Sequence, residues 1–270
     1  MTNQLHWRRG NVLASPIEEQ LNKVVEYLIR ANDIFVITGA GCSADSGLPT
    51  YRGSGGIYNN KLTEDGISIE SALSHSVFKT RPEITWKYLA EIERGARGAR
   101  PNSAHTTLAL MEQEFARFWI LTQNVDGFHS TAGSNNVIEI HGNMYRLICT
   151  GCDFQKSYTD YSGVKIPPEC PQCQELLRPN IVLFEESLPE EQIKMLYREM
   201  QIPFDLVISI GTSSYFPYIS EPILMANQAN IPTVEINPSE TAVSHLVDTK
   251  IELGAAHCLT EIWTRYQSQR

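Results

Sequence analysis

The chain has 270 residues, 42% of them hydrophobic, which is enough to bury the core of one large α/β domain or of two modest ones. Its 22 lysines and arginines against 31 aspartates and glutamates give a formal net charge of −9, which argues against direct electrostatic binding of nucleic acid and favours a basic partner. The sequence has no run of about 18 apolar residues, and no apolar segment follows the basic residues near its start. We therefore expect a cytoplasmic protein without membrane attachment, whose oligomeric state the sequence does not specify.

Helical segments alternate along the chain with short apolar runs. The pattern Ser15-Pro-Ile-Glu18 is typical of a capping box with proline in the first turn, and it predicts a helix over about 16–31. Ser187-Leu-Pro-Glu190 repeats the pattern and predicts a helix over about 189–200. Apolar runs without strict alternation predict strands covered on both faces, at 34–38, 118–122, 137–140, 206–210 and 233–236. This order predicts an α/β fold with a doubly wound, mostly parallel sheet.

Two stretches interrupt the alternation of strands and helices. Residues 52–103 are helical and loop-like, and residues 146–178 contain paired cysteines. We predict that both are insertions into a large domain formed by residues 1–51, 104–145 and 179–270. Ligands of open α/β sheets bind beyond the carboxyl ends of the strands, so we expect the functional site where the insertions meet the sheet.

The paired cysteines have the spacing of a four-thiolate zinc site. Cys149-x2-Cys152 and Cys170-x2-Cys173 are separated by seventeen residues, and each pair can form one knuckle of a tetrahedral site. Four thiolates leave the metal no open position, so we predict a structural zinc ion within a small module. Cys42 and Cys258 lie outside the pattern, and we interpret them as small apolar residues near a ligand rather than as nucleophiles.

A glycine-rich turn follows the first predicted strand. Gly39-Ala-Gly-Cys-Ser-Ala44 matches the G-x-G-x-x-A pattern, in which glycines let the backbone approach a pyrophosphate. The acidic residue expected about 20 positions later would be Glu64 or Asp65, but both lie in a polar loop, which disfavours dehydrogenase-type use of a dinucleotide. An ordinary tight turn remains an alternative on this pattern alone.

Longer motifs continue from this turn. The first signature of the sirtuin family, the NAD-consuming protein-lysine deacylases, closely resembles residues 39–53. Further segments resemble family motifs in the family order: 122–129, 139–142, the cysteine module, 181–186, 211–214 and 236–237. The resemblance runs from about residue 34 to 259 and implies a Rossmann-like NAD-binding domain, NAD as co-substrate, zinc as structural metal and an acyl-lysine protein or peptide as substrate.

The resemblance also implies roles for individual residues. His141 is the expected general base toward a ribose hydroxyl, since an imidazole titrates near neutrality, and Asn124 and Asp126 are the other expected catalytic residues. Val182, Leu183 and Phe184 are expected to bind the substrate peptide and its acyl group. The expected NAD contacts are Gly39, Ala40, Gly41, Ser43, Asp45, Tyr51, Arg52, Gln123, Asn124, Asp126, Gly211, Thr212, Ser213, Asn237 and Cys258.

Two departures from the family pattern, and one comparison with a subgroup of relatives, bear on substrate and side reactions. Tyr51 stands where the family usually has phenylalanine, and Glu185 stands where it usually has glycine. Relatives that remove succinyl or malonyl groups carry a Tyr-x-x-Arg pair, whereas Tyr88 is followed three residues later by Glu91, so we expect neutral acyl groups to be preferred. An NAD hydrolase or a protein ADP-ribosyltransferase on the same fold is the alternative activity. A zinc-ribbon module that only senses NAD is a third interpretation.

Overall fold

The computed structural model of the chain describes residues 15–50 and 62–270. The helices within these ranges are α1 Pro16–Arg30, α2 Ala40–Ser43, α3 Ile69–Ala72, α4 His75–Thr80, α5 Pro82–Ala96, α6 Ser103–Glu114, α7 Phe128–Ala132, α8 Glu190–Met200, α9 Pro217–Gln228 and α10 Ala255–Ser268. The strands are β1 Asp33–Thr38, β2 Arg117–Thr122, β3 Val137–Glu139, β4 Gly142–Cys149, β5 Gln155–Ser157, β6 Leu177–Ile181, β7 Leu206–Ile210, β8 Thr233–Ile236 and β9 Thr249–Ile251.

The predicted parallel sheet is present, and its described strands follow the order β3-β2-β1-β7-β8-β9. Every neighbouring pair is parallel. All five predicted strands belong to it, whereas β9 was not predicted. The chain reverses its direction of winding between β1 and β7, which places a crevice at the carboxyl ends of these two strands.

Both faces of this sheet are covered, as expected for strands without strict alternation. Ile34 and Val36 of β1 pack in one core beneath α1, α6 and α10. Phe35 and Ile37 point to the opposite core, which α8 and α9 cover. The alternation of β1 side chains therefore joins two helical layers through one sheet, which is the α/β architecture that the sequence predicts.

The insertions come together as a second, smaller unit. Its antiparallel sheet has the order β5-β4-β6, and α3 to α5 pack on it around the fully buried Trp86. The Trp86 indole donates a hydrogen bond to the carbonyl of Leu177, 3.0 Å away. This contact ties the helical insertion to the cysteine-bearing segment, so the two form one body beside the large sheet.

The predicted helix starts differ in outcome. Ser15 accepts a hydrogen bond from the Glu18 amide at 3.3 Å, while the Glu18 carboxylate accepts from Arg265, so only the serine half of this capping box forms. The helix predicted over about 189–200 is present as α8, but the predicted cap at Ser187 was wrong: α8 is preceded by Pro189 in extended conformation and has no side-chain cap. None of the described helices has the length and apolar character needed to cross a membrane.

Candidate active site

A cavity of about 880 Å³ lies at the carboxyl ends of β1, β2, β7 and β8 and extends to the smaller unit. Its position is the one predicted from the sheet topology. The predicted site residues that line it are Gly39, Ala40, Gly41, Asp45, Gln123, Asn124, His141, Val182, Leu183, Phe184, Gly211, Thr212, Ser213 and Asn237.

Three glycines bring two strand ends into direct backbone contact at the cavity floor. The Gly41 amide donates to the carbonyl of Gly211 at 2.8 Å, and the Gly39 amide donates to that of Ile210 at 3.1 Å. A Cβ on Gly41 would lie 2.7 Å from the Cα of Gly211, and Gly211 itself has φ +59°. Side chains are therefore excluded sterically from this turn, which leaves main chain facing the cavity, as a dinucleotide pyrophosphate requires.

Amide and hydroxyl side chains link the turn to the end of β2. The Asn124 side-chain amide donates to the Gly39 carbonyl and to the Ser43 hydroxyl, both at 3.1 Å. Ser43 in turn donates to Oδ2 of Asp126 at 2.7 Å. Burial raises the pKa of Asp126. Ser43 and Asp126 line a pocket of about 40 Å³ that shares Ala40 and Asn124 with the main cavity.

Hydrogen bonds also hold the opposite wall of the cavity. The Gln123 side chain donates to the Thr212 hydroxyl at 2.6 Å, and the Asn237 side chain donates to the Thr212 carbonyl at 3.0 Å. Asp45 accepts from the Ala256 amide at 3.2 Å. Thr212 thus organises the ends of β2, β7 and β8 around one space.

The loop before α10 reaches the cavity through Gly254 and Ala255. Cys258, which was predicted to contact the cofactor, is fully buried in the core and is not among the described lining residues. Burial raises the pKa of its thiol to about 12. The thiol is therefore held as a neutral, apolar group.

His141 faces the cavity, and a hydrogen bond shows which of its two ring nitrogens carries the hydrogen. Its Nδ1 lies 3.1 Å from the carbonyl oxygen of Gln123, and a carbonyl can only accept, so Nδ1 carries the hydrogen. The lone pair therefore lies on Nε2, where the Tyr218 hydroxyl is 2.7 Å away. Burial lowers the pKa of His141, which keeps the imidazole neutral and able to accept a proton at physiological pH.

Two further histidines lie behind the cavity as structural residues. His105 accepts the Asn102 amide hydrogen on Nδ1, which puts its own hydrogen on Nε2. Cys42, His105 and His129 lie close enough together to suggest a metal site, and Nε2 of His105 is 4.0 Å from the Cys42 sulfur. A protonated nitrogen has no lone pair for a metal, so these three residues do not form a metal site. The Nε2 atom of His129 lies 2.9 Å from the Thr38 hydroxyl.

The predicted substrate segment follows β6 along the cavity wall. The Val182 amide donates to the His141 carbonyl, and the Phe184 amide donates to the Leu73 carbonyl, each at 3.0 Å. Glu185 has φ +72°, the left-handed region that favours glycine, and its carboxylate accepts from the Ser76 amide at 3.1 Å. Glu185 therefore keeps a glycine-like backbone while its side chain caps α4.

Apolar side chains line the cavity on the side of the smaller unit. Leu89 and Ile92, one turn apart on α5, face it together with Val125 and Leu183. Tyr88 and Glu91, which stand at the spacing of the Tyr-x-x-Arg pair, do not belong to this described wall. Periodicity could have identified Leu89 and Ile92 only with knowledge of which face of α5 the cavity touches.

The four paired cysteines converge as predicted. Neighbouring sulfur atoms lie 3.4 Å apart for Cys149 and Cys173, 3.5 Å for Cys152 and Cys173, and 3.7 Å for Cys152 and Cys170. Four thiolates bound tetrahedrally at about 2.3 Å have sulfur atoms about 3.8 Å apart. Main-chain amides of Gly151 and Gln172 donate to two of the sulfurs. The donor set therefore fits a closed zinc site.

Two predicted NAD contacts, Tyr51 and Arg52, lie outside the described residues.

Tyr218 was missed by the sequence analysis, because it belongs to no motif and reaches His141 only through the packing of α9. Its single sequence signal is its place shortly after the predicted strand that ends at Ile210.

Similar proteins agree with this architecture. The chain is 48% identical to "NAD-dependent protein deacylase 2" of Pseudomonas aeruginosa, over 88% of this chain and 94% of that protein. It is 34% identical to "NAD-dependent protein deacylase" of Aquifex aeolicus, over 86% of this chain and 94% of that protein.

Solved structures show the same fold. A Sir2 homologue in complex with NAD superposes with a TM-score of 0.81 at 32% identity, covering 92% of this chain and 94% of that one. A complex of Sir2 with a p53 peptide and NAD⁺ gives a TM-score of 0.79 at 26% identity, covering 92% and 99%. The Sir2 family model matches residues 39–216. The chain therefore belongs to the Sir2 family, the sirtuins.

Proposed function

We propose that this protein is an NAD-dependent protein-lysine deacylase that transfers the acyl group to ADP-ribose and releases nicotinamide. The observation that carries the proposal is the neutral His141, whose Nε2 lone pair accepts from the Tyr218 hydroxyl at the wall of a cavity that the glycine turn and the polar ends of β2 and β7 also line. Relatives named as NAD-dependent protein deacylases support it.

NAD binding is assigned to the polar half of the cavity. The close backbone approach at Gly39, Gly41 and Gly211 leaves room for a pyrophosphate, and Asn237 lies at the end of β8, where the adenosine ribose would rest. Tyr51 and Arg52 remain predicted contacts. The NAD complex of a Sir2 homologue with the same fold supports this assignment.

The amide and carboxyl groups at the end of β2 serve the nicotinamide ribose. Cleavage of the bond between nicotinamide and ribose builds positive charge on the sugar. Asp126, held by Ser43 at 2.7 Å, stands beside Asn124 in the adjoining pocket and can hold the nicotinamide carboxamide or steady that charge. Asn124 can hydrogen-bond a ribose hydroxyl or an ordered water.

His141 then governs the fate of the sugar. In the proposed scheme the acyl oxygen of the modified lysine attacks the ribose carbon that nicotinamide leaves, and His141 receives the proton of a ribose hydroxyl. That hydroxyl oxygen attacks the acyl carbon, and the bond between the acyl carbon and the lysine nitrogen breaks as the nitrogen takes up a proton. One water then adds to the acyl carbon, and its bond to one of the two ribose oxygens opens, so free lysine departs and the acyl group stays on ADP-ribose.

The apolar wall supports neutral acyl groups as substrates. Leu89, Ile92 and Leu183 offer no cation to pair with a carboxylate, and an unpaired buried carboxylate costs several kcal/mol. We propose that the peptide backbone lies along residues 182–184, beside the acidic Glu185. A p53 peptide bound to a Sir2 structure supports a peptide substrate.

Zinc, domain division and cellular location complete the proposal. The four thiols fit a structural zinc ion, and free thiols persist in the reducing cytoplasm, where we place the protein. We propose the divisions 1–51, 104–145 and 179–270 for the NAD-binding domain, 52–103 for the helical part of the smaller unit and 146–178 for the zinc module.

Nicotinamide release with and without an acetyl-lysine peptide tests the proposal. A deacylase releases nicotinamide only when the peptide is present, together with equal amounts of free lysine peptide and acylated ADP-ribose. Equal release without peptide would establish NAD hydrolysis instead, and labelled ADP-ribose on protein would establish ADP-ribosyl transfer. NAD binding without any turnover on a panel of neutral acyl peptides would favour a sensor.

A further inference from the structure

The Tyr218 hydroxyl occupies the only basic nitrogen of His141. Nδ1 of the imidazole donates to the Gln123 carbonyl, so a proton can enter only at Nε2, and there the phenol oxygen lies at 2.7 Å. Nε2 carries a lone pair and no hydrogen, so the phenol is the donor in this bond. A hydroxyl group in the cavity must therefore either displace Tyr218 or pass its proton through it.

Packing holds the Tyr218 ring in place. Tyr218 is the second residue of α9, directly after Pro217. Its ring stacks on Phe216 with centroids 5.4 Å apart and an interplanar angle of 12°. Both rings stand edge-on to the imidazole, with centroid distances of 6.0 and 6.2 Å. Swinging the phenol away would break the stacking and the hydrogen bond together.

The Tyr218 phenol is chemically suited to remain bound to His141 and to transfer a proton. Burial raises the pKa of Tyr218 to about 12, so the group is a neutral hydroxyl at physiological pH. Its oxygen donates one hydrogen to Nε2 and retains acceptor lone pairs. Tyr218 also lines the main cavity, so these lone pairs are within reach of a bound sugar.

We propose that Tyr218 relays the proton from the ribose hydroxyl to His141. The ribose O–H bond breaks and its proton joins the phenol oxygen, while the original phenol proton moves to Nε2. The phenol is neutral before and after, and the imidazole becomes imidazolium. The electron pair of the broken bond stays on the ribose oxygen, which attacks the acyl carbon. The relay rests on the proposed deacylase function and adds a catalytic residue to it.

The substitution Tyr218→Phe tests the relay, because it keeps the ring that stacks on Phe216 and removes only the hydroxyl. Tyr197→Phe is the matched control. Tyr197 is exposed on α8, and its hydroxyl lies 3.1 Å from Glu221 of α9. Two readouts separate the chemical steps. Exchange of labelled nicotinamide into NAD, with an acetyl-lysine peptide present, reports cleavage of the bond between nicotinamide and ribose and does not require a ribose hydroxyl to lose its proton. Formation of acylated ADP-ribose does require the removal of that proton.

We expect Tyr218→Phe to exchange nicotinamide at the wild-type rate and to form acylated ADP-ribose about 100-fold more slowly, which is the lower end of the usual effect of a lost proton-transfer group. Tyr197→Phe should match the wild type in both assays. Product formation that is unchanged or faster in Tyr218→Phe would show that the sugar displaces the phenol, and would overturn the relay. An equal loss of exchange and product would also overturn it, by assigning Tyr218 a packing role. Failure of the wild-type enzyme to deacylate would refute the proposed function itself.

Discussion

Acidification from pH 7.5 to 5.0 should remove a defined part of the folding free energy through two buried histidines. Burial lowers the pKa of His105 from 6.5 to about 4, and burial together with the nearby His105 lowers that of His129 to about 3. Below pH 6.5 the unfolded chain binds protons that the folded chain refuses. The stability present above the unfolded pKa is therefore lost as the pH falls toward the folded values.

The magnitude follows from the proton linkage. At pH 5.0 an unfolded histidine is almost fully protonated, whereas the two buried rings are almost fully neutral. With about 1.36 kcal/mol per pKa unit, each ring costs about 2 kcal/mol between pH 7.5 and 5.0, and the pair costs about 4 kcal/mol. That is a large share of the 5–15 kcal/mol typical of a folded domain.

Urea unfolding followed by circular dichroism, at pH values between 7.5 and 5.0, measures this loss. His129→Gln keeps an amide donor near Thr38 and should reduce the pH-dependent loss by about 2 kcal/mol relative to the wild type, whatever its absolute stability. His245→Gln changes an exposed ring and should leave the loss unaltered. Comparing variants cancels the acid sensitivity of the cysteine site. Identical losses in His129→Gln and the wild type would refute the assignment of a neutral buried imidazole.

Three further outcomes follow from the cavity and the cysteine site. Gly41→Ala would place a Cβ 2.7 Å from the Gly211 Cα, so we expect this variant to bind NAD at least about 10-fold more weakly, as measured by calorimetry. Gly95→Ala is the control, because nothing lies near its Cβ, and it should bind NAD normally. Equal affinities of the two variants would contradict the backbone contact between Gly41 and Gly211 as the NAD site. The double substitution Leu89→Tyr/Ile92→Arg should shift kcat/KM from acetyl toward succinyl peptides by about 10-fold or more, since a guanidinium can pair with the acyl carboxylate; an unchanged preference would remove Leu89 and Ile92 from the acyl site. Chelation of zinc should lower the melting temperature and expose the Trp86 environment to solvent, as followed by fluorescence; an unchanged melting curve would exclude a structural metal at the four thiols.

The sequence predicted the parts of this molecule that depend on local pattern. The strands around Ile34 and Leu206 are long apolar runs, and the cysteine spacing specifies a knuckle geometry, so both were foreseen. Strand β9 has only three residues and shows no apolar run. Ser187 does not cap α8 because the chain is still extended at Pro189, directly before the helix. The local pattern that Ser187 shares with Ser15 does not determine at which residue the helix begins.

The missed site residue depends on packing between distant segments. His141 and Tyr218 are 77 positions apart in the chain, and they meet only because α9 begins beside the end of β3. The motif around His141 indicated a base, but only the folded structure shows that the Tyr218 hydroxyl is the partner of its Nε2 atom. The same holds for Leu89 and Ile92, whose orientation toward the cavity depends on how α5 docks on the smaller unit.

In the proposed mechanism, His141 directs the sugar fragment to the acyl group after the bond between nicotinamide and ribose is cleaved. The most direct measurement is the yield of acylated ADP-ribose from His141→Ala, beside NAD affinity and peptide-dependent nicotinamide exchange of the same variant. We expect near-normal NAD affinity and measurable exchange, with product formation reduced by about 100-fold or more. Acylated ADP-ribose formed at the wild-type rate by His141→Ala would contradict it.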